Sequence, residues 1–147
     1  MRVSEAVSPR SAVVVEDSRA CRTRPRALVA DDHPMMLSTL ARLARSECDV
    51  IGTAGDGETL LQEVRELRPD LVILDVFMPE MDGFAAGRRI RDEFPDTRLI
   101  YVTLQPDQGL MAEAIRIGAS ALVAKASIGR SLAGAIRRTM GGNAENQ

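Results

Sequence analysis

The sequence predicts an α/β fold, a five-stranded parallel sheet with helices on both faces. Three observations predict it. Short apolar runs alternate with amphipathic stretches five times along the chain. The central run, Leu71–Leu74, is apolar at every position, as in a strand buried on both faces. The 147 residues suit one domain with one core.

Ala27–Ala30 reads as the first strand. Pro34 to Ser46 reads as a helix with Met36, Leu37, Leu40, Leu43 and Ala44 on one face. Val50–Ala54 is the second strand. Asp56-Gly57 then turns into a helix over Glu58 to Leu67, ended by Pro69. After the Leu71–Leu74 strand, Pro79 to Gly83 is rich in turn residues, Asp82-Gly83 leading into a third helix over residues 84–93. Leu99–Val102 is the fourth strand. The helix after it, Asp107 to Ile117, is expected to bury Leu110, Met111, Ala114 and Ile115 and to stop at Gly118. Ala121–Ala124 is the fifth strand. A last helix, Ile128 to Met140, carries Ile128, Leu132, Ala135, Ile136 and Met140 at helical spacing, and Gly141-Gly142 end it. The expected organisation is a basic, disordered N-terminal extension over 1–25, one domain over 26–140 and a C-terminal tail over 141–147.

Composition excludes several classes of function. Apolar runs of a handful of residues cannot cross a membrane or form a secretory signal, so the protein is expected in the cytoplasm. Cys21 and Cys48 are too few for a disulfide framework, and with a single histidine they cannot build a structural zinc site. With no Trp, one Tyr and three Phe, there is no aromatic platform for stacking bases. Charge is uneven. Residues 1–26 carry Arg2, Arg10, Arg19, Arg22, Arg24 and Arg26 against Glu5, Glu16 and Asp17, whereas the rest is net acidic and a poor direct DNA binder. Eighteen of the nineteen basic residues are Arg, and the one lysine is Lys125.

The functional signal lies at the strand ends. Asp31 and Asp32 come directly after the first strand, Asp75 after the third, Thr103 after the fourth and Lys125 after the fifth. Taken singly, each has an ordinary reading: an Asp after a strand is a common helix cap, and Asp31 or Asp32 could serve so before Pro34. Taken together, they fall on one edge of a parallel sheet, where such folds place their sites. Two carboxylates about 4 Å apart repel by roughly 4 kcal/mol at an effective dielectric near 20. Such a cluster protonates or holds a cation, and oxygen ligands suit Mg2+. A hydroxyl from Thr103 and an ammonium from Lys125 complete a set suited to binding a phosphoryl group, with Asp75 the candidate nucleophile.

The chain resembles a response-regulator receiver domain, the CheY-like flavodoxin-type fold, most closely receivers of the NarL/LuxR type. The resemblance rests on Asp31-Asp32-His33-Pro34, Leu74-Asp75-Val76-Phe77-Met78-Pro79, Met81-Asp82-Gly83, Val102-Thr103, and Gly118-Ala119 leading to Lys125. It implies the strand order 2-1-3-4-5. It implies that Asp75 accepts a phosphoryl group from a sensor histidine kinase. Asp32, Asp75 and the backbone carbonyl of Phe77 would ligate Mg2+, with Asp31 holding the metal through water. Lys125 would pair with the phosphoryl group and Thr103 would hydrogen-bond it, shifting the surface of helix four, strand five and helix five, a possible homodimer face. The protein would be a phosphoacceptor that catalyses its own Mg-dependent phosphorylation and dephosphorylation, not a turnover enzyme, with no organic cofactor. Its ending after a fifth helix leaves either a stand-alone receiver or the receiver part of a transcription regulator with a DNA-binding output domain beyond Gln147, and the NarL/LuxR likeness favours the latter.

Some positions depart from the family pattern. Leu122 stands where an aromatic switch residue is common, Ala126 where Pro is usual, and Leu104 where Ala is common. Leu104 could narrow access to Asp75, and Phe77 could screen attacking water. A phosphorylation-independent pseudo-receiver acting as a binding module is the alternative. A phosphatase of the haloacid-dehalogenase type is disfavoured, because the position two residues after Asp75 is Phe77 rather than a second Asp. Val13-Val14-Val15-Glu16-Asp17-Ser18 imitates a first strand and acidic pair, but Pro25 and clustered Arg stand where the next helix should run. Of the remaining singletons, His33 reads as loop or cap, Met35-Met36 and Tyr101 as packing, and Arg88, Arg89 and Arg91 as a solvated face.

Overall fold

A computed structural model describes residues 24–141. The imitation strand at Val13 and Cys21 lie outside the described residues. The elements run β1 (Arg26–Ala30), α1 (Pro34–Ala44), β2 (Asp49–Ala54), α2 (Gly57–Leu67), β3 (Leu71–Asp75), α3 (Gly83–Glu93), β4 (Arg98–Thr103), α4 (Gln108–Ile117), β5 (Ala121–Ala124), a 3-10 turn (Lys125–Ser127) and α5 (Ile128–Met140). All strand pairs are parallel, in the order β2-β1-β3-β4-β5.

The period-2 alternation of each strand divides the core in two. Val72 and Leu74 of β3 face one cluster, with Leu60 and Val64 of α2, Ile90 of α3 and Ala114 of α4. Leu71 and Ile73 face the other, with Leu40 and Ala44 of α1 and Leu132 and Ile136 of α5. All five residues of β3 are buried, so each large side chain there contributes about 2 kcal/mol by leaving water.

The helix starts explain why loops at the carboxyl edge of the sheet are well defined. Asp56, Asp82 and Asp107 cap α2, α3 and α4 by accepting the amides of Thr59, Ala85 and Leu110 at 2.7, 2.8 and 2.8 Å. At the opposite edge α4 stops at Gly118, whose φ of 99° is open to glycine at little cost.

Several expectations need correction. α1 ends at Ala44, and Ser46 lies in the following turn. α4 buries Ala114 and half-buries Leu110 and Ile117, whereas Met111 and Ile115 are 42% and 66% exposed. Its inward stripe runs 110-114-117, one step round the helix from the stripe expected. Met35 is exposed and only Met36 packs against the core. Arg91 is only partly solvated, and its guanidinium donates to the carbonyls of Pro95 and Thr97 and so closes the turn into β4. Arg88 pairs with Glu113 of α4 at 2.8 Å. Among the described residues no helix is long and apolar enough to cross a membrane, and no peptide bond is cis, including that before Ala126.

Candidate functional site

Strand register fixes the site. Ala30 of β1 pairs with Leu74 of β3, so the next residues, Asp31 and Asp75, emerge side by side where the strand order reverses. Asp75 pairs with Val102, and Thr103 with Ala124, which brings Thr103 and Lys125 to the same edge.

Lys125 occupies the centre. Its Nζ lies 2.8 Å from Asp31 Oδ2 and 3.1 Å from Asp75 Oδ2. All three side chains are nearly removed from solvent, at 7% exposure for Lys125, 0% for Asp31 and 8% for Asp75. The bond to Asp75 has hydrogen-bond geometry. The contact to Asp31 is close but poorly aligned, so Asp31 Oδ2 retains unused accepting capacity. Asp31 Oδ1 accepts the His33 amide at 2.9 Å, and Asp75 Oδ1 accepts the Phe77 amide at 3.3 Å.

Two buried carboxylates therefore share one ammonium. Burial raises the Asp75 pKa above its ordinary value, and the Asp31 charge adds to this, against the opposing pull of the Lys125 bond. For Lys125 burial acts to lower the pKa, but the two carboxylates of Asp31 and Asp75 beside it outweigh burial and the net shift is upward. The ammonium is held charged and the carboxylates are left short of positive charge.

Thr103 adds the second signal. It is 1% exposed, and its hydroxyl has no hydrogen-bond partner. A buried unsatisfied hydroxyl costs about 1–3 kcal/mol, so an edge built this way is poised for an incoming acceptor. Thr103→Val is expected to raise unfolding stability by about 1 kcal/mol in metal-free buffer, read by urea denaturation, because it removes that cost at nearly constant shape. Loss of stability instead would mean the hydroxyl already has a partner.

Asp31, Asp32 and His33 each offer an atom within 4.8 Å of the others. The hard oxygens of Asp31 and Asp32 suit a divalent cation, as does the spare accepting capacity of Asp31, so the donor set fits Mg2+. Asp32 is the exposed member of the pair, while Asp31 is buried. Neither caps α1, whose cap position is His33 without a side-chain bond; His33 Nδ1 instead lies 3.3 Å from Asp32 Oδ1. Phe77 and Leu104, 61% and 72% exposed, stand at the rim rather than packing over the carboxylates.

Gly83 is a residue that sequence reasoning passed over as a turn. A Cβ there would come within 2.1 Å of the Asp75 carbonyl, so glycine alone lets α3 begin against the end of β3. The Met81-Asp82-Gly83 motif was visible in the sequence; the close approach was not.

The profile of the response regulator receiver domain matches residues 27–137. A curated relative, the transcriptional activator protein ExaE of Pseudomonas putida, is 34% identical over 119 residues, covering 80% of this chain and 56% of ExaE. The signal receiver domain of NarL from Mycobacterium tuberculosis superposes with a TM-score of 0.73 at 26% identity, over 78% of this chain and 94% of that one. A LuxR-family two-component response regulator from Aurantimonas gives 0.73 at 30%, over 78% and 83%. The chain spans about half the length of the curated relatives it matches first.

Proposed function

The chain belongs to the response-regulator receiver family, with NarL/LuxR-type receivers among its structural neighbours, and from that premise we propose that it is a phosphorylation-controlled switch whose acceptor is Asp75. One observation carries the reading: Asp31 and Asp75 converge on a single buried ammonium beside a buried hydroxyl that has no partner.

The donor is a phosphohistidine on a sensor histidine kinase. A carboxylate oxygen of Asp75 attacks phosphorus; a P–O bond forms, the P–N bond breaks, and its electron pair returns to the imidazole. Lys125, already 3.1 Å from Asp75, neutralises charge on the arriving phosphoryl oxygens. Thr103 donates its free hydroxyl to one of them. Asp32, Asp75 and the Phe77 carbonyl would hold Mg2+ with the help of Asp31, and the ion would supply further charge neutralisation at the phosphoryl group. The protein promotes its own phosphorylation and dephosphorylation but turns over no other substrate.

Movement of Thr103 toward the phosphoryl group draws on β4 and α4, and so shifts the surface of α4, β5 and α5. Met111 and Ile115, exposed on α4, give that surface an apolar patch for a homodimer or an output domain. The transcription-regulator relatives, about half of whose length this chain covers, support a DNA-binding output domain beyond Gln147. The test of the whole reading is intact mass after incubation with acetyl phosphate and Mg2+: one phosphoryl adduct supports it, and no adduct moves the reading to a pseudo-receiver.

Phe77 at the rim screens water from the acyl phosphate, which gives slow self-dephosphorylation. Phe77→Asn is expected to shorten the phosphoryl lifetime about tenfold by admitting and orienting water. Equal lifetimes, followed by mass after removal of the phosphodonor, would remove that role.

A further inference from the structure

Tyr101 is the chain's only tyrosine, and it is fully buried on β4, two residues before Thr103. Its hydroxyl donates to the Gly83 carbonyl at 2.7 Å. Its ring meets Phe84 edge-on, with centroids 5.0 Å apart. Gly83 in turn donates its amide to the Val76 carbonyl at 2.7 Å and lies against the Asp75 carbonyl. One hydroxyl thus connects the strand that delivers Thr103 to the residue that closes the loop after Asp75.

The surroundings are shaped for that hydroxyl. A Cβ on Gly87, one turn into α3, would come within 1.9 Å of it. Burial lifts the phenol well above its ordinary pKa, so it remains a donor at any working pH. In register Tyr101 stands between Leu74 and Leu122. The aromatic therefore sits on β4, locked inward, beside the β5 position that carries Leu122.

We propose that Tyr101 is a positioning residue for Asp75: its bond to the Gly83 carbonyl ties β4 to the start of α3 and holds the Val76–Asp82 loop, with the Phe77 amide, in place beside the carboxylate. This rests on the reading of Asp75 as phosphoacceptor. The hydroxyl touches no reacting atom and acts through the loop, whose Phe77 amide donates to Asp75 Oδ1.

Tyr101→Phe removes the hydroxyl and keeps the ring. At saturating Mg2+ and acetyl phosphate it is expected to slow phosphorylation roughly fivefold, the scale of one misplaced hydrogen bond. Amide exchange of residues 76–83 should accelerate more than that of β3 and α5, a local effect that general loss of stability does not produce. Gly87→Ala supplies an independent route, because its methyl displaces the same hydroxyl. Its slowing should match that of Tyr101→Phe, and the double variant should be no slower than either, since both break one bond. Rates within twofold of native together with uniform exchange would overturn the proposal. If the native chain takes up no phosphoryl group, the reading of Asp75 as phosphoacceptor falls, and loop exchange in Tyr101→Phe still decides whether the tie exists.

Discussion

Asp75→Asn is expected to abolish the phosphoryl adduct and, in the absence of metal, to make the fold more stable. The first effect comes from the loss of the attacking oxygen, and intact mass should show at least a hundredfold less adduct. The second comes from the site's charge. The Asp75 pKa is raised in the folded state, mainly by burial, so the ionised carboxylate opposes folding at neutral pH. Between its ordinary value of 3.8 and the higher folded value, the native state binds a proton that the unfolded chain does not. Stability arising from this group therefore rises as pH falls through that window and is least above it. Asn removes the penalty, and the midpoint of thermal unfolding at neutral pH should rise. Exposed carboxylates such as Glu93 and Glu113, whose pKa values are lowered by Arg partners, titrate with the opposite sign, but they are common to both proteins and cancel in the difference. A variant that loses the adduct and is also less stable would show that Asp75 serves first as a structural partner of Lys125.

That cost was legible in the sequence because of how parallel sheets are built. Apolar runs end where the strands end, so Asp31, Asp75, Thr103 and Lys125 each mark a strand terminus, and parallel pairing brings those termini to one edge. Other features depend on contacts that sequence periodicity does not encode. Met111 and Ile115 are as apolar as Leu110 and Ile117, so the pattern of α4 fits two neighbouring stripes, and packing against the sheet selects 110-114-117. Arg91 reads as one more basic residue on a polar face, yet the turn from Pro95 to Thr97 gives its guanidinium two carbonyls. Tyr101 reads as core, and is core; that its hydroxyl finds Gly83 depends on the approach of α3 to β3, which in turn depends on the missing Cβ of Gly83.

Lys125→Met is expected to have the largest effect on stability. Met keeps most of the side-chain volume, so the change isolates the charge. Without the ammonium, Asp31 and Asp75 remain side by side and buried with no cation between them. Removing one partner of a buried ion pair costs about 3–5 kcal/mol, because the desolvated charge that remains is uncompensated. The Lys125 pKa is raised above its ordinary 10.5, so measurements at neutral pH sample the ammonium's full contribution. Urea unfolding in metal-free buffer should therefore show a lower midpoint than native. The loss should shrink as pH falls, since one carboxyl can protonate in place of the missing partner. Mg2+ gives the decisive comparison. An ion that binds only the folded state stabilises it in proportion to its occupancy, and in the variant no ammonium competes for the same oxygens. The stabilisation gained from a given Mg2+ concentration should then be greater for Lys125→Met than for the native chain, although the variant lacks the charge that pairs with a phosphoryl group. Equal gains would mean that ammonium and metal do not draw on the same carboxylates, and the shared-charge account of this edge would fall with that result.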